Sequence, residues 1–142
     1  RFSVVTMWKH WFHLYEKTIG DLGIEDHVAS IRSIDVAPDN QSLLAGKEED
    51  IFPRLLAEAK AAVAEDGADV ILLGSTTMHQ AHKHLSDNLG VPVINPGPLT
   101  YKLVEAMLGL GLSHSRAAYP ASPVPRTEMI AAMMAAAGAF DH

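Results

Sequence analysis

Short β-rich apolar runs alternate along this chain with longer stretches in which apolar residues recur every three or four positions. Parallel β-α-β units read this way. Phe2-Ser3-Val4-Val5-Thr6 forms the first run. Trp8, Trp11, Phe12 and Tyr15 follow at helical spacing and predict a helix over residues 8–19, ended by the Gly20 and Gly23 region. A second strand is expected over residues 27–36, where Val28, Ile31, Ile34 and Val36 alternate loosely before Pro38-Asp39-Asn40. Residues 48–66 carry Leu55, Leu56, Ala59 and Val63 on one helical face, with Gly67 as the stop. Residues 69–73 contain the unbroken run Val70-Ile71-Leu72-Leu73, which suits a strand buried on both faces. A helix to about residue 89, a strand over 91–94 and a helix over 99–110 complete the pattern.

The remainder differs. Residues 119–126 are rich in proline and read as an extended connector. Residues 127–139 form a short apolar helix with Met129, Ile130, Met133 and Met134. The expected fold class is therefore α/β, a parallel sheet with flanking helices over residues 1–118, followed by a connector and a C-terminal helical tail over 127–142. The tail helix is too apolar to stand alone in water. It is expected to pack on another subunit or a missing domain, or else to fold back on the first domain. A domain seldom opens on a core strand, so an upstream N-terminal portion is also expected.

Composition narrows the function. The 142 residues suffice for one ordinary domain, and 48% hydrophobic with 20% charged residues indicates a soluble globular protein. A net charge of −6 lacks the basic face that nucleic acid requires. The acidic residues are scattered, among them Glu58, Glu65 and Asp66, and read as a solvated surface. No apolar run approaches the roughly 20 residues of a membrane span, and the basic-apolar-small order of a signal peptide is missing. A cytoplasmic protein with no membrane partner is expected. Cysteine is absent, which removes disulfides, zinc-thiolate sites and thiol nucleophiles from this chain.

Open parallel sheets bind ligands outside the carboxyl ends of their strands. Thr6-Met7, Gly74 to His79, and Asn95-Pro96-Gly97-Pro98 fall there. Gly74 permits a sharp turn, after which Ser75, Thr76 and Thr77 meet the expected start of a helix, where free amides favour anions. A small carboxylate would be served by such a turn. Equally, one of the hydroxyls would simply cap the helix. His79 and His82 lie one turn apart, but a metal would need a third ligand. A solvated face of His79, His82 and His84 is expected instead, with no metal.

The same segments, in the same order, resemble the second half of the aspartate/glutamate/hydantoin racemase family. The resemblance rests on Phe2-Ser3-Val4-Val5-Thr6, Ile31-Arg32-Ser33-Ile34-Asp35-Val36, and the run from Glu65-Asp66-Gly67-Ala68-Asp69-Val70 through Gly74-Ser75-Thr76-Thr77-Met78. It continues through Leu89-Gly90-Val91-Pro92-Val93-Ile94-Asn95 and Lys102-Leu103-Val104-Glu105-Ala106 to Ser113, covering roughly residues 1–115.

The resemblance implies two pseudo-symmetric α/β halves with the active site between them. It implies no cofactor, since an acid and a base on opposite faces of the α-carbon suffice. It also implies one catalytic cysteine per half, the second falling on Ser75. That departure matters, because a thiol can be tuned to a base near neutral pH and an aliphatic hydroxyl cannot serve unaided. Some racemases of this superfamily place a histidine where Thr77 stands, and many relatives have an acid where Asn95 stands. The function so implied is a cofactor-independent racemase-like isomerase acting on a small amino acid or hydantoin-like compound. Ser75 takes the acid/base position, His79 is the proton-transfer partner, and Thr6, Thr76, Thr77 and Asn95 line the cleft. The other readings are a non-catalytic binder of small carboxylates and a lyase, such as a decarboxylase, on the same fold. A chain presenting one wall of such a cleft is expected to form a homo-oligomer or to pack with a missing N-terminal half.

Overall fold

The β-branched and leucine runs form four strands among the described residues: β1 (Phe2–Thr6), β2 (Val28–Ser33), β3 (Val70–Leu73) and β4 (Val93–Ile94). The helices are α1 (Phe12–Leu22), α2 (Phe52–Asp66), α3 (Ala81–Asn88), α4 (Pro96–Gly109) and α5 (Thr127–Gly138). The structure, a computed structural model, describes residues 1–39 and 50–138. Residues 48 and 49 of the expected second helix, residue 40 of the expected strand-breaking turn, and residues 139–142 lie outside them. None of the described helices is long and apolar enough to cross a membrane.

All pairings are parallel, and the strand order is β2-β1-β3-β4. Val5 lies opposite Arg32 on one side and Leu73 on the other. Side chains alternate along a strand, so Ser3, Val5, Ile71, Leu73 and Val93 share one face. Helices α2 and α3 cover that face with Leu55, Ala59, Ala62, Ala81 and Leu85, all fully buried. A leucine or isoleucine buried this completely contributes about 1.5–3 kcal/mol. The opposite face is less well covered. Val70 and Leu72 are only half-buried there, and with Phe2, Ile94, Ile24 and Leu99 they border an apolar groove of about 580 Å³. The expectation that β3 is fully buried on both faces therefore holds on one face only.

Element ends differ from expectation for local reasons. Trp8 is extended and accepts a bond from the Trp11 N–H at 3.1 Å, so residues 9–11 form a 3-10 turn and α1 starts at Phe12. The helix passes through Gly20 and stops at Gly23, whose left-handed φ of 63° suits glycine. His27 belongs to a 3-10 turn, and β2 begins at Val28. Beyond Ser33 the ladder becomes irregular. Ile34 and Val36 still donate to Thr6 and Met7 at 3.2 and 2.8 Å, around Asp35 at φ 52°. Helix α4 begins at Pro96 rather than residue 99, because a proline in the first turn loses no helical hydrogen bond.

The chain divides into two compact units, Arg1–Glu105 and Ala106–His142. In the second, Gly111 at φ 68° closes α4 as Leu112 donates to Met107 at 2.9 Å. Its helix α5 exposes Met129, Ile130, Met133 and Met134.

In the first unit, β2 is tied to α2 by Arg32. Its guanidinium donates to Asp66 at 2.6 and 3.0 Å, to Glu65 at 2.7 Å and to Glu58 at 3.4 Å. These three acids are therefore not a scattered solvated surface, since the long Arg32 side chain gathers them across the top of the sheet face. Hydrogen bonds from Arg32, and then from Ser30, hold the Asp66 carboxyl at about 2, below its ordinary value of 3.8. A carboxylate lowered on folding adds stability that is complete above its ordinary value and is lost as pH falls through the folded value. The unfolding free energy is expected to fall between pH 5 and 2 in urea titrations. Arg32→Met should flatten that segment and cost roughly 1.5–3 kcal/mol at neutral pH, the range for a hydrogen bond to a charged group.

Candidate functional site

Strand β2 lies to one side of β1, and the chain then passes over β1 to place β3 on the other side. The winding direction thus reverses between β1 and β3, and the crevice beyond their carboxyl ends is where sheets of this kind take ligands. Thr6 ends β1 there and Gly74 follows β3, with the Gly74 N–H donating to the Val5 carbonyl at 2.9 Å.

Gly74 is obligatory at this point. A Cβ placed on it would lie 2.7 Å from the Tyr15 hydroxyl oxygen and 2.8 Å from the Thr6 Cβ. In the space so left, the Tyr15 phenol reaches in from α1. It donates to the Gly74 carbonyl at 2.6 Å. A phenol has one proton, so the Thr6 hydroxyl is the donor in its 2.9 Å bond to the Tyr15 oxygen. Thr6 is fully buried. Its hydroxyl proton is therefore committed inside the protein rather than offered to a ligand.

Ser75 is half-buried directly after Gly74, and its carbonyl accepts from the Met78 N–H at 3.2 Å. Residues 76–78 form a single 3-10 turn, and α3 starts only at Ala81. The expected α-helix immediately after the hydroxyl run is not found. The buried Met78 side chain pins the segment into the core and breaks it into a turn and a later helix. The residue before α3 is Gln80, and no side chain caps that helix. Thr76 is exposed, and Thr77 lies in the same turn.

Asn95 comes to this edge from the end of β4. Its Nδ2 donates to the His79 carbonyl at 3.2 Å, and its Oδ1 is buried with no hydrogen-bond partner among the described residues. The structure thus brings Asn95 to the backbone of residue 79, while the His79 side chain itself is exposed. His82 and His84 do not form the solvated face expected of them. The His82 Nε2 bonds the Val93 carbonyl at 3.1 Å, fastening α3 to β4, and the ring of His84 packs 5.7 Å from that of Phe52. Their side of α3 faces the core, which the three- and four-residue spacing of Ala81 and Leu85 dictates. Among the described residues, no group of three His, Asp or Glu side chains is placed to hold a metal ion.

Tyr15 is the residue that sequence reasoning missed. Its spacing with Trp8, Trp11 and Phe12 marks it as part of an apolar helix face. The signal available was a phenol on the helix that returns from β1, since a half-buried tyrosine hydroxyl usually finds a partner.

Together these features define a doubly wound parallel α/β protein with a glycine-and-hydroxyl turn at the switch point of its sheet. Residues 1–104 match the Asp/Glu/hydantoin racemase family, and the chain belongs to that family. It is 36% identical over 125 residues to the hydantoin racemase of Rhizobium meliloti, covering 84% of this chain and 50% of that protein. A second hydantoin racemase, from Paenarthrobacter aurescens, is 36% identical over 107 residues, or 74% of this chain and 43% of its own length. Among solved structures, the allantoin racemase from Klebsiella pneumoniae superimposes with a TM-score of 0.70 at 28% identity, over 82% of this chain and 46% of that one. That from Pseudomonas fluorescens gives 0.70 at 28%, over 87% and 52%. The chain spans about half the length of the curated relatives it matches.

Filling residue 74 is expected to be costly. Gly74→Ala should destabilise by about 1–3 kcal/mol, the range for overpacking a filled site. Gly90→Ala, where a Cβ meets nothing within 4 Å, should change stability far less. Urea unfolding of both variants checks this.

Proposed function

We propose that this chain supplies one wall of the active site of a cofactor-independent racemase-like isomerase acting on a hydantoin-like compound or a small amino acid. The observation that carries this reading is the placement of Ser75. It follows the obligatory Gly74 at the carboxyl end of β3, beside the switch point, in a chain whose family includes hydantoin racemases. There it occupies the position that the family resemblance gives to an acid/base cysteine. Racemisation removes a proton from one face of the α-carbon and returns one to the other, with the negative charge held by hydrogen bonds in between. His79, exposed four residues on, is the titratable side chain proposed to exchange protons with the Ser75 hydroxyl. Thr76, Thr77 and Asn95 hold the polar groups of the substrate, and Thr6 shapes the floor beneath them.

The buried Asn95 Oδ1 is an acceptor without a donor among the described residues. A hydantoin N–H matches such an acceptor only if substrate binding opens this contact, and the hydantoin racemases among the relatives are what favour a hydantoin-like substrate. The serine favours a second reading, a binder of small carboxylates that has lost its chemistry, over a decarboxylase, which also needs a proton donor at this point.

The apolar groove on the open face of the sheet supports assembly with a second copy of this chain. Sedimentation should show species larger than 15.3 kDa, and a clean monomer at high concentration would refute assembly.

The chemistry is read by solvent deuterium incorporation across a panel of amino acids and hydantoins. A single acid/base group contributes roughly 10²–10⁴-fold in rate. Ser75→Cys in the complete protein should therefore raise exchange by about that factor, with Ser75→Ala as the control. If Ser75→Cys gains nothing while Ser75→Ala loses existing exchange, serine is itself the working group. Binding without exchange in every variant would favour the carboxylate binder.

A further inference from the structure

The hydrogen bonds around residue 74 have a fixed direction. The Thr6 hydroxyl donates to Tyr15, and Tyr15 donates to the Gly74 carbonyl. That carbonyl belongs to the peptide that joins Gly74 to Ser75. The peptide is planar and trans, so its C=O and N–H point in opposite directions. Holding the carbonyl against Tyr15 therefore fixes the plane of the whole peptide, including the direction of the Ser75 N–H. It also sets where the Ser75 Cα leaves the turn, and with the Ser75 carbonyl held by the Met78 N–H on the other side the rotation that directs the side chain is restrained. Two backbone bonds act on either side of this plane. The Gly74 N–H is bound to Val5 before it, and the Ser75 carbonyl is bound by Met78 after it.

We infer that Tyr15 is a positioning residue, which orients the Gly74–Ser75 peptide and so aims the side chain at position 75 into the crevice. This rests on the reading of Ser75 as the acid/base position. It goes beyond that reading by assigning the aim of the group to a phenol on α1, sixty residues away in sequence. The packing supports it. A Cβ at residue 74 would lie 2.7 Å from the Tyr15 oxygen and 2.8 Å from the Thr6 Cβ, so the glycine leaves room for the phenol beside Thr6.

The test needs no turnover. The sequence has no cysteine, so Ser75→Cys introduces a single thiol whose alkylation by iodoacetamide reports its ionisation and accessibility. The alkylation rate is followed against pH in Ser75→Cys alone, with Tyr15→Phe added, and with Ser3→Ala added. Ser3 is a buried β1 residue whose hydroxyl bonds Ser30 at 2.8 Å, so Ser3→Ala removes a comparable bond away from residue 74. Tyr15→Phe is expected to change the rate by about threefold or more and to move its pH midpoint, while Ser3→Ala leaves both unchanged. An unchanged rate in a folded Tyr15→Phe protein would overturn the inference. Equal changes in the two variants would overturn it as well, since they would report general loosening. Should Tyr15→Phe fail to fold, the parent protein decides. The Tyr15 hydroxyl proton should appear as a slowly exchanging NMR resonance with a cross-peak to a Gly74 Hα, and a Tyr15 ring that shows no such contact with residue 74 would refute the bond. Failure of deuterium exchange in the proposed reaction leaves this readout intact, so the two ideas fail separately.

Discussion

Three segments of chain meet at residue 74 because that residue has no side chain, and the candidate site takes its shape from this contact. Parallel pairing brings the ends of β1 and β3 level, with the Gly74 N–H on the Val5 carbonyl. The missing Cβ leaves room for the Tyr15 phenol between Thr6 and the Gly74 carbonyl. Each partner is then committed. Thr6 gives up its hydroxyl proton, Tyr15 passes its own to the glycine carbonyl, and Ser75 is left as the first side chain beyond the closed end of the strand.

The two faces of the sheet support this edge unequally. On one, α2 and α3 bury a continuous set of leucines and alanines, and Arg32 draws Glu58, Glu65 and Asp66 together over β2. Buffering the guanidinium with three carboxylates suits a side chain that is itself only about one-fifth exposed. On the other face, half-buried residues border an open apolar groove. The rigid face holds β1 and β3 in register, so the turn at residues 74–78 is built on strands that cannot slide.

Membership of the Asp/Glu/hydantoin racemase family and the TM-scores of 0.70 to two allantoin racemases agree with this architecture. A fold of this kind hosts many reactions, so the chemistry has to be argued from the site. The site presents hydroxyls, an amide and a histidine near one edge, and no thiol. The buried Asn95 Oδ1 has no hydrogen-bond partner among the described residues.

What was legible in the sequence was what local chemistry decides. The order of strands and helices followed from hydrophobic spacing, the Gly20 and Gly23 region and Gly67 marked helix ends because glycine tolerates a left-handed φ, and the strand ends that carry Thr6, Ser75 and Asn95 could be placed by counting along the motifs. The boundaries that shifted did so where a distant contact outweighed local preference. Met78 enters the core and splits the helix expected after Ser75, and Ala81 and Leu85 turn His82 and His84 inward. The tie between Arg32 and three acids, and the reach of Tyr15 to Thr6 and Gly74, join residues from 9 to 59 positions apart. Periodicity along a chain reports only which way a side chain faces within its own element. Which atom it meets there is set by how the elements pack, and that was decided by the tertiary structure alone.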